Sequence, residues 1–288
     1  MREISGKAAF VTGGGSGIGQ ALAEALAAEG ASVAVADILI DNARSVVGGI
    51  TEAGGTAVAI SCDVSDRTSV RRAKEEANAA LGPVSLLFAN AGVTSFQGFT
   101  EMTDEDVDWI LGVDLMGVLN CLAAFLPDMT AAREGHVFAT SSMAGLCAAW
   151  IPYHSVYSAA KMGVLGMMLN VRHELAAAGV GASVLVPGGV ATRMGQNNAR
   201  ARPERFGGPG EGPVHVPDVV RELFADVGLT FRPAEDVAQM VLLAVRENRP
   251  IVVTTPSDRQ IFQETYVEPV LKAFDEVDAF EEALAARR

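Results

Sequence analysis

The sequence predicts an α/β protein built on a doubly wound parallel sheet, three layers deep, with helices on both faces. Three observations predict it. Short apolar, β-branched runs alternate with longer Ala- and Leu-rich segments from the first residues onward. Most of those runs are apolar on both faces, as parallel strands sandwiched between helices must be. The chain has 288 residues, 49% of them hydrophobic and 20% charged, enough to fill one such domain over 1–288.

Taken in order, Lys7 to Thr12 reads as the first strand. Gly17 to Glu29 follows as a helix, with Leu22, Ala25, Leu26 and Ala28 at helical spacing and Gly30 as its stop. Ala31 to Asp37 is the second strand, and further strands are expected at Thr56 to Ser61, Val84 to Ala89, His136 to Ser141, Ala182 to Val186 and Pro250 to Thr254. Thr103 before Asp104, Glu105 and Asp106 has the form of a capped helix start, and the apolar pattern then runs to about Met129. A second long helix is expected from Ser155 to Ala178, stopped by Gly179. The pattern breaks in the Gly- and Pro-rich stretch from Arg193, so residues 193–231 read as an excursion from the sheet with the character of a lid. The tail, 258–288, reads as helical and acidic. No repeat or linker divides the chain.

A formal charge of −13 supplies no broad basic field, which argues against nucleic acid or an anionic membrane as partner. Cys62, Cys121 and Cys147 are widely spaced and form neither a metal pattern nor a disulfide framework. With no signal-like N-terminus and no stretch reading as a membrane span, a soluble cytoplasmic protein is expected. His136, His154, His173 and His215 show no recurrent ligand spacing, so no metal is expected, and each is assigned to structure or solvent.

Thr12 to Gly19 reads TGGGSGIG, between the first strand and the first helix. Glycines there let the backbone turn tightly and approach a pyrophosphate, whose charge meets the helix N-terminal amides. The bland alternative is an ordinary strand–helix turn. Asp37 ends the second strand. A carboxylate at that place can accept from ribose hydroxyls and repels a 2′-phosphate, which favours NAD over NADP; the alternative is an Asp that caps a turn.

TGGGSGIG resembles the glycine motif of the short-chain dehydrogenase/reductase family, and further blocks of that family follow in order. Cys62-Asp63-Val64 is similar to its adenine-contacting segment, Asn90-Ala91-Gly92 to its NAG motif, Tyr157 and Lys161 to Tyr-x-x-x-Lys, and Pro187-Gly188-Gly189-Val190-Ala191-Thr192 to PGxVxT. The resemblance implies a Rossmann-type fold from about Gly6 to Thr192 and the last strand. It implies a cofactor site at Gly13, Ser16, Gly17, Ile18, Gly19, Asp37, Asp63, Val64, Asn90, Ala91, Gly92, Pro187, Gly188, Val190 and Thr192, with Tyr157 and Lys161 joining it. Asp63 would reach the adenine, backbone around Val190 the carboxamide, and Lys161 the nicotinamide ribose.

The chemistry stands beside the resemblance. A free phenol titrates near pH ~10, too high for an efficient base. Tyr157 and Lys161 are four apart and share a helix face, where an ammonium would lower the phenol's pKa. Tyr157 would take the alcohol proton in oxidation and return it in reduction. Ser141 and Ser142 end the fifth strand, and a hydroxyl there can donate to the substrate oxygen. Ser142 is chosen because Ser142-Met143-Ala144-Gly145 aligns best with the family's serine block. Tyr157 follows Ser142 by 15 positions, more than the family's spacing, so Leu146 to Tyr153 is expected to hold a small insertion. Tyr153 is a rival phenol without a lysine four residues on, and is assigned to the pocket wall. The family's helix-four asparagine, part of a proton path, is replaced by Asp114. Asp114 could support the same water chain, pair with Lys161 and weaken its effect, or sit on a helix surface.

The substrate pocket is expected to draw on Val93 to Phe96, Gly145 to Tyr153 and Arg193 to Phe231. Phe96, Trp150, Ile151 and Phe206 point to an apolar or aromatic small-molecule alcohol or ketone, with Phe96 and Trp150 contacting it beside Ser142 and Tyr157. The late run VVTTPSDRQIFQETYVEPVL and the acidic tail resemble the Cα-dehydrogenases that act on lignin-derived aryl alcohols. The leading reading is an NAD-dependent alcohol dehydrogenase or ketoreductase. The alternatives are an NAD-binding regulatory protein with little turnover and an acyl-chain ketoreductase. Family members are commonly dimers or tetramers, so a homodimer or homotetramer is expected, with Met162, Met167 and Met168 in the core or at the subunit interface.

Overall fold

The computed structural model describes residues 3–287. Seven strands form one sheet: β1 (Ala8–Thr12), β2 (Ser32–Asp37), β3 (Thr56–Ser61), β4 (Val84–Ala89), β5 (His136–Thr140), β6 (Gly181–Val186) and β7 (Ile251–Val253). Their order is β3-β2-β1-β4-β5-β6-β7, and every neighbouring pair is parallel. β3 and β4 fall where the sequence places them to the residue; the other five differ by one residue at one or both ends, as strand ends commonly do.

Alternation along the strands divides the core into two apolar layers. Ala8 and Phe10 of β1, with Leu87 and Ala89 of β4, face the helices α3 (Arg67–Leu81), α4 (Asp104–Leu111), α5 (Gly117–Ala132) and α7 (Ser155–Ala176). Ala9 and Val11, with Leu86 and Phe88, face α1 (Gly17–Ala28), α2 (Ile40–Glu52) and α10 (Ala234–Glu247). Strands covered on both faces must be apolar throughout, which is why these runs lack a polar side. The remaining helices are α6 (Met143–Leu146), α8 (Met194–Asn197), α9 (Asp218–Asp226), α11 (Asp258–Phe262) and α12 (Glu268–Ala285).

The predicted helix start at Thr103 is a capping box. The Asp106 amide donates to Thr103 Oγ1 at 3.2 Å, and the Thr103 amide donates to Asp106 Oδ2 at 3.1 Å. The helix runs on through a wider π turn at Gly112–Met116 into α5. Asp104–Ala132 is long and apolar enough to cross a membrane by length and composition alone, as a core helix also can be. Half of its most apolar window is buried, and Cys121, Leu122, Phe125 and Met129 pack into the core. Met168 is likewise core, whereas Met162 is exposed.

The excursion is more ordered than its Gly and Pro content suggests. It folds as α8, two 3-10 turns (Ala199–Ala201 and Glu204–Phe206) and α9. It is tied back by Arg202 to Asp106 at 2.7 Å and by Arg205 to Asp63 at 2.7 Å. The tail is one helix from Asp258 through a π turn to Ala285. The three cysteines are buried and free.

Candidate active site

β1 lies between β2 and β4, so the strand order reverses there and a crevice opens at the carboxyl ends of β1 and β4. Thr12 closes its floor: its Oγ1 accepts from the amides of Asn90 at 2.9 Å and Ala91 at 3.0 Å. The Asn90 side chain donates to Thr12 O at 3.1 Å and accepts from Thr140 Oγ1 at 3.1 Å, bracing the ends of β1, β4 and β5. Gly13 and Gly17 both take left-handed backbone, φ +62° and +53°. A Cβ would meet Ala91 Cα at 2.9 Å on the first and the Thr192 side chain at 2.9 Å on the second. Ser16 leads into α1 without capping it through its side chain.

Asp37 stands at one end of this crevice, 8% exposed. Its Oδ2 accepts from the Gly15 amide at 2.9 Å and its Oδ1 from the Leu39 amide at 2.9 Å. Burial raises its pKa, opposed by those amides. The carboxylate therefore does both things the sequence allowed: it caps the turn and it lines the crevice.

Thirteen of the expected cofactor residues share this one crevice: Gly13, Ser16, Gly17, Ile18, Asp37, Val64, Asn90, Ala91, Gly92, Tyr157, Lys161, Pro187 and Thr192. Four do not line it. A Cβ on Gly19 would strike Gly13 O, so that glycine serves the packing of the turn. The Asp63 carboxylate is engaged by Ser65 and Arg205. Gly188 lies against Thr255 and Asp258, and Val190 bridges to Arg232 while packing on the α1/α10 layer. Met194, Asn197, Asn198, Ala201 and Pro203 of the excursion do line the crevice; residue spacing carried no signal for them individually.

At the opposite end, α7 presents Tyr157 and Lys161 one turn apart, with the ammonium 5.5 Å from the phenol centroid. Lys161 Nζ donates to Thr140 O at 3.1 Å and pairs with Asp114 Oδ1 at 2.9 Å. Asp114 sits in the π turn and is wholly buried, which rules out the helix-surface reading; its Oδ1 also accepts from the Val93 amide at 3.2 Å. The two serines separate cleanly. Ser141 Oγ donates to Lys161 O at 2.6 Å and so fastens β5 to α7. Ser142 caps α6 by accepting from the Ala144 amide at 3.1 Å, with its hydroxyl beside the Tyr157 phenol.

The electrostatics correct one expectation. Burial raises the Tyr157 pKa; Lys161 and Ser142 draw it down, but Asp114 offsets the lysine, and the balance stays above the ordinary phenol value. Burial works against the charge on Lys161, and Asp114 more than restores it, so the ammonium stays charged.

His154, assigned above to structure or solvent, packs directly against the Tyr157 ring. His154 immediately precedes α7, and its imidazole stacks on the Tyr157 ring at 4.3 Å and 5°. Phe96 stacks on His154 at 4.4 Å and 24°. His154 Nε2 shares a hydrogen bond with Thr94 Oγ1 at 2.9 Å. Thr94 is clasped in turn by Asn198 of the excursion through its amide (2.8 Å) and its carbonyl (2.9 Å). Burial lowers the His154 pKa to about 4, so the ring is neutral. Trp150 packs towards Phe224 at 6.3 Å, and Tyr153, half exposed, lines a second cavity with Phe96 and Thr94. Among the described residues no cluster of His, Cys, Asp and Glu is placed to hold a metal.

The profile of the short chain dehydrogenase family matches residues 7–203. This chain belongs to that family. A Cα-dehydrogenase of Sphingobium is 32% identical over 262 residues, 90% of this chain and 84% of its own. A short-chain dehydrogenase/reductase of Burkholderia phymatum, solved in complex with NAD, superposes with a TM-score of 0.85 at 31% identity, covering 94% of this chain and 97% of its own. The apo form of LigD from Sphingobium superposes with a TM-score of 0.75 at 27% identity, covering 93% and 97%.

As a short-chain dehydrogenase the chain is an oxidoreductase, and family members use NAD or NADP. The residues fit such a dinucleotide. The glycine turn leaves backbone where side chains would otherwise stand, the amides opening α1 suit a pyrophosphate, and Asp37 offers acceptors at the far end. Gly92 adds to the fit, since a Cβ there would intrude on Asp114 and Lys161.

Proposed function

We propose that this enzyme is an NAD-dependent dehydrogenase interconverting a secondary alcohol and a ketone. The observation that carries the reading is that Tyr157 and Lys161 line one end of a crevice whose other end is Asp37, with the Ser142 hydroxyl beside the Tyr157 phenol. NAD, when bound, supplies the hydride acceptor, and its reduced form the donor. Tyr157 Oη accepts the carbinol proton in oxidation and donates it to the ketone oxygen in reduction. Ser142 Oγ donates to that same oxygen, holds it against the phenol and stabilises the charge that develops there. Lys161 stabilises the phenolate and holds the nicotinamide ribose. Asp37 accepts from the adenosine ribose, and with Ile38 and Leu39 following it no side chain of the turn offers a cation to a 2′-phosphate.

The substrate is an apolar or aryl carbinol. The mouth beside Tyr157 is walled by Phe96 and His154, with Trp150 and Phe224 behind, and the Sphingobium relative carries the name Cα-dehydrogenase. A homodimer or homotetramer is the expected assembly. The Asp114–Lys161 pair favours one second reading, a binding protein with little turnover, because it neutralises the charge that activates Tyr157.

Calorimetric titration with NAD and NADP, followed by an absorbance screen of aryl, alicyclic and aliphatic secondary alcohols, tests these readings. Tighter binding of NAD, and turnover of aryl carbinols that Tyr157→Phe abolishes while NAD still binds, is the expected result. Tight NAD binding without turnover of any alcohol supports the second reading, and absence of nucleotide binding overturns both.

A further inference from the structure

The excursion reaches the catalytic end of the crevice through two adjacent asparagines, and both line it. Asn197 closes α8, and its Nδ2 donates to Ser16 Oγ of the glycine turn at 3.1 Å. Asn198, 7% exposed, grips Thr94 as a neighbouring strand would. Its Oδ1 accepts from the Thr94 amide at 2.8 Å and its Nδ2 donates to the Thr94 carbonyl at 2.9 Å. The two partners are 104 positions apart, so the grip is tertiary and not a local turn.

Thr94 passes that constraint on. A β-branched side chain on a fixed backbone has little rotational freedom, so holding the Thr94 amide and carbonyl also aims its hydroxyl. The hydroxyl meets His154 Nε2 at 2.9 Å, and His154 Nδ1 has no hydrogen-bond partner among the described residues. Thr94 therefore gives the imidazole its one polar anchor. Without it both buried ring nitrogens would be unpaired, and the ring would turn to find another partner. The Tyr157 phenol lies flat on that ring, 4.3 Å away and 5° from parallel, so a turned imidazole displaces it. An asparagine that only held the excursion down would leave Tyr157 unaffected.

We propose that Asn198 is a positioning residue for Tyr157, acting through Thr94 and His154, so that the segment walling the crevice also aligns the phenol. Its kinetic consequence rests on the catalytic reading of Tyr157; the alignment itself does not. The chain has three tyrosines, so NMR spectra of ring-labelled tyrosine resolve Tyr157, whose signal Tyr157→Phe identifies. A ring stacked face to face shifts its neighbour's signals upfield. Asn198→Ala is expected to remove most of that shift, and His154→Phe, which keeps a stacked ring, to retain it. Thr94→Val leaves the asparagine's grip in place, removes only the hydroxyl, and should act as Asn198→Ala does; it carries the test if circular dichroism shows Asn198→Ala to be unfolded. At saturating NAD, Asn198→Ala should lower kcat by about tenfold in the wild-type background and by less than about twofold beside His154→Phe, because a phenyl ring has no nitrogen left to pair. A Tyr157 signal that either variant leaves in place, or an equal loss of kcat in both backgrounds, overturns the proposal. The spectra need neither NAD nor turnover, so they decide it separately from the catalytic reading, which falls if no alcohol is turned over.

Discussion

The imidazole of His154 lies face to face with the phenol of Tyr157, 4.3 Å away and 5° from parallel. One ring edge is tied through Thr94 to Asn198, so the orientation of the proposed acid–base residue is linked to the segment that folds over the crevice. His154→Ala removes the stack and is expected to lower kcat by about tenfold to a hundredfold, as a small misplacement of a reacting group does. His154→Phe keeps the stack and should recover most of that loss. Steady-state kinetics of the two variants, with NAD affinity as control, checks this; equal losses would show that the hydrogen bond to Thr94 matters and the stack does not.

Burial holds Tyr157 above the ordinary phenol pKa, and Asp114 offsets part of the downward pull of Lys161, with which it is paired. Oxidation needs the phenolate, so its rate should rise with pH through an alkaline limb, while ketone reduction falls over the same range. Asp114→Asn removes the offsetting charge and should move both limbs to lower pH. A pH–rate profile that does not move would show that Asp114 does not act through Tyr157. Asp114→Ala leaves a buried ammonium unpaired and should cost about 3–5 kcal/mol of stability.

Replacing Asp37 by Asn removes the charge facing the ribose and places an amide donor opposite the Gly15 or Leu39 amide. NAD affinity is expected to fall by about tenfold, near 1.4 kcal/mol, and the preference over NADP to narrow. Calorimetry with both nucleotides measures the two effects separately.

Gly188 has no room for a side chain: a Cβ would lie 2.6 Å from Thr255 Oγ1 and 2.5 Å from Asp258 Oδ2. Gly188→Val should therefore lose about 1–3 kcal/mol in a urea melt before any effect on NAD is seen.

Two histidines are buried and neutral, His154 at about 4 and His136 at about 3, each lowered by burial. The unfolded chain binds these protons from about pH 6.5 downward while the folded chain does not. Stability contributed by the neutral rings is present above that pH and is lost as pH falls towards 4, by about 1.4 kcal/mol per pH unit for each ring. Urea midpoints at neutral and mildly acidic pH, for wild type and His154→Phe, check the slope and His154's share of it.

The sequence by itself determined the sheet and the two ends of the crevice. Runs such as Val84–Ala89 are apolar on both faces because both faces are covered, and a glycine turn before a helix, Asp37 after a strand, and Tyr157 four residues before Lys161 are local patterns whose meaning survives without coordinates. Where two neighbours looked alike the sequence could only choose, and Ser142 over Ser141 rests on which hydroxyl turns to the Lys161 carbonyl. Tertiary structure alone decided the rest. Asp114 is buried against Lys161 because a π turn rotates it inward, His154 meets Tyr157 because a left-handed residue at Tyr153 turns the chain into α7, and Asn198 reaches Thr94 across 104 positions. Such contacts join segments whose separation along the chain carries no periodic signal, so only the packing of the whole could set them.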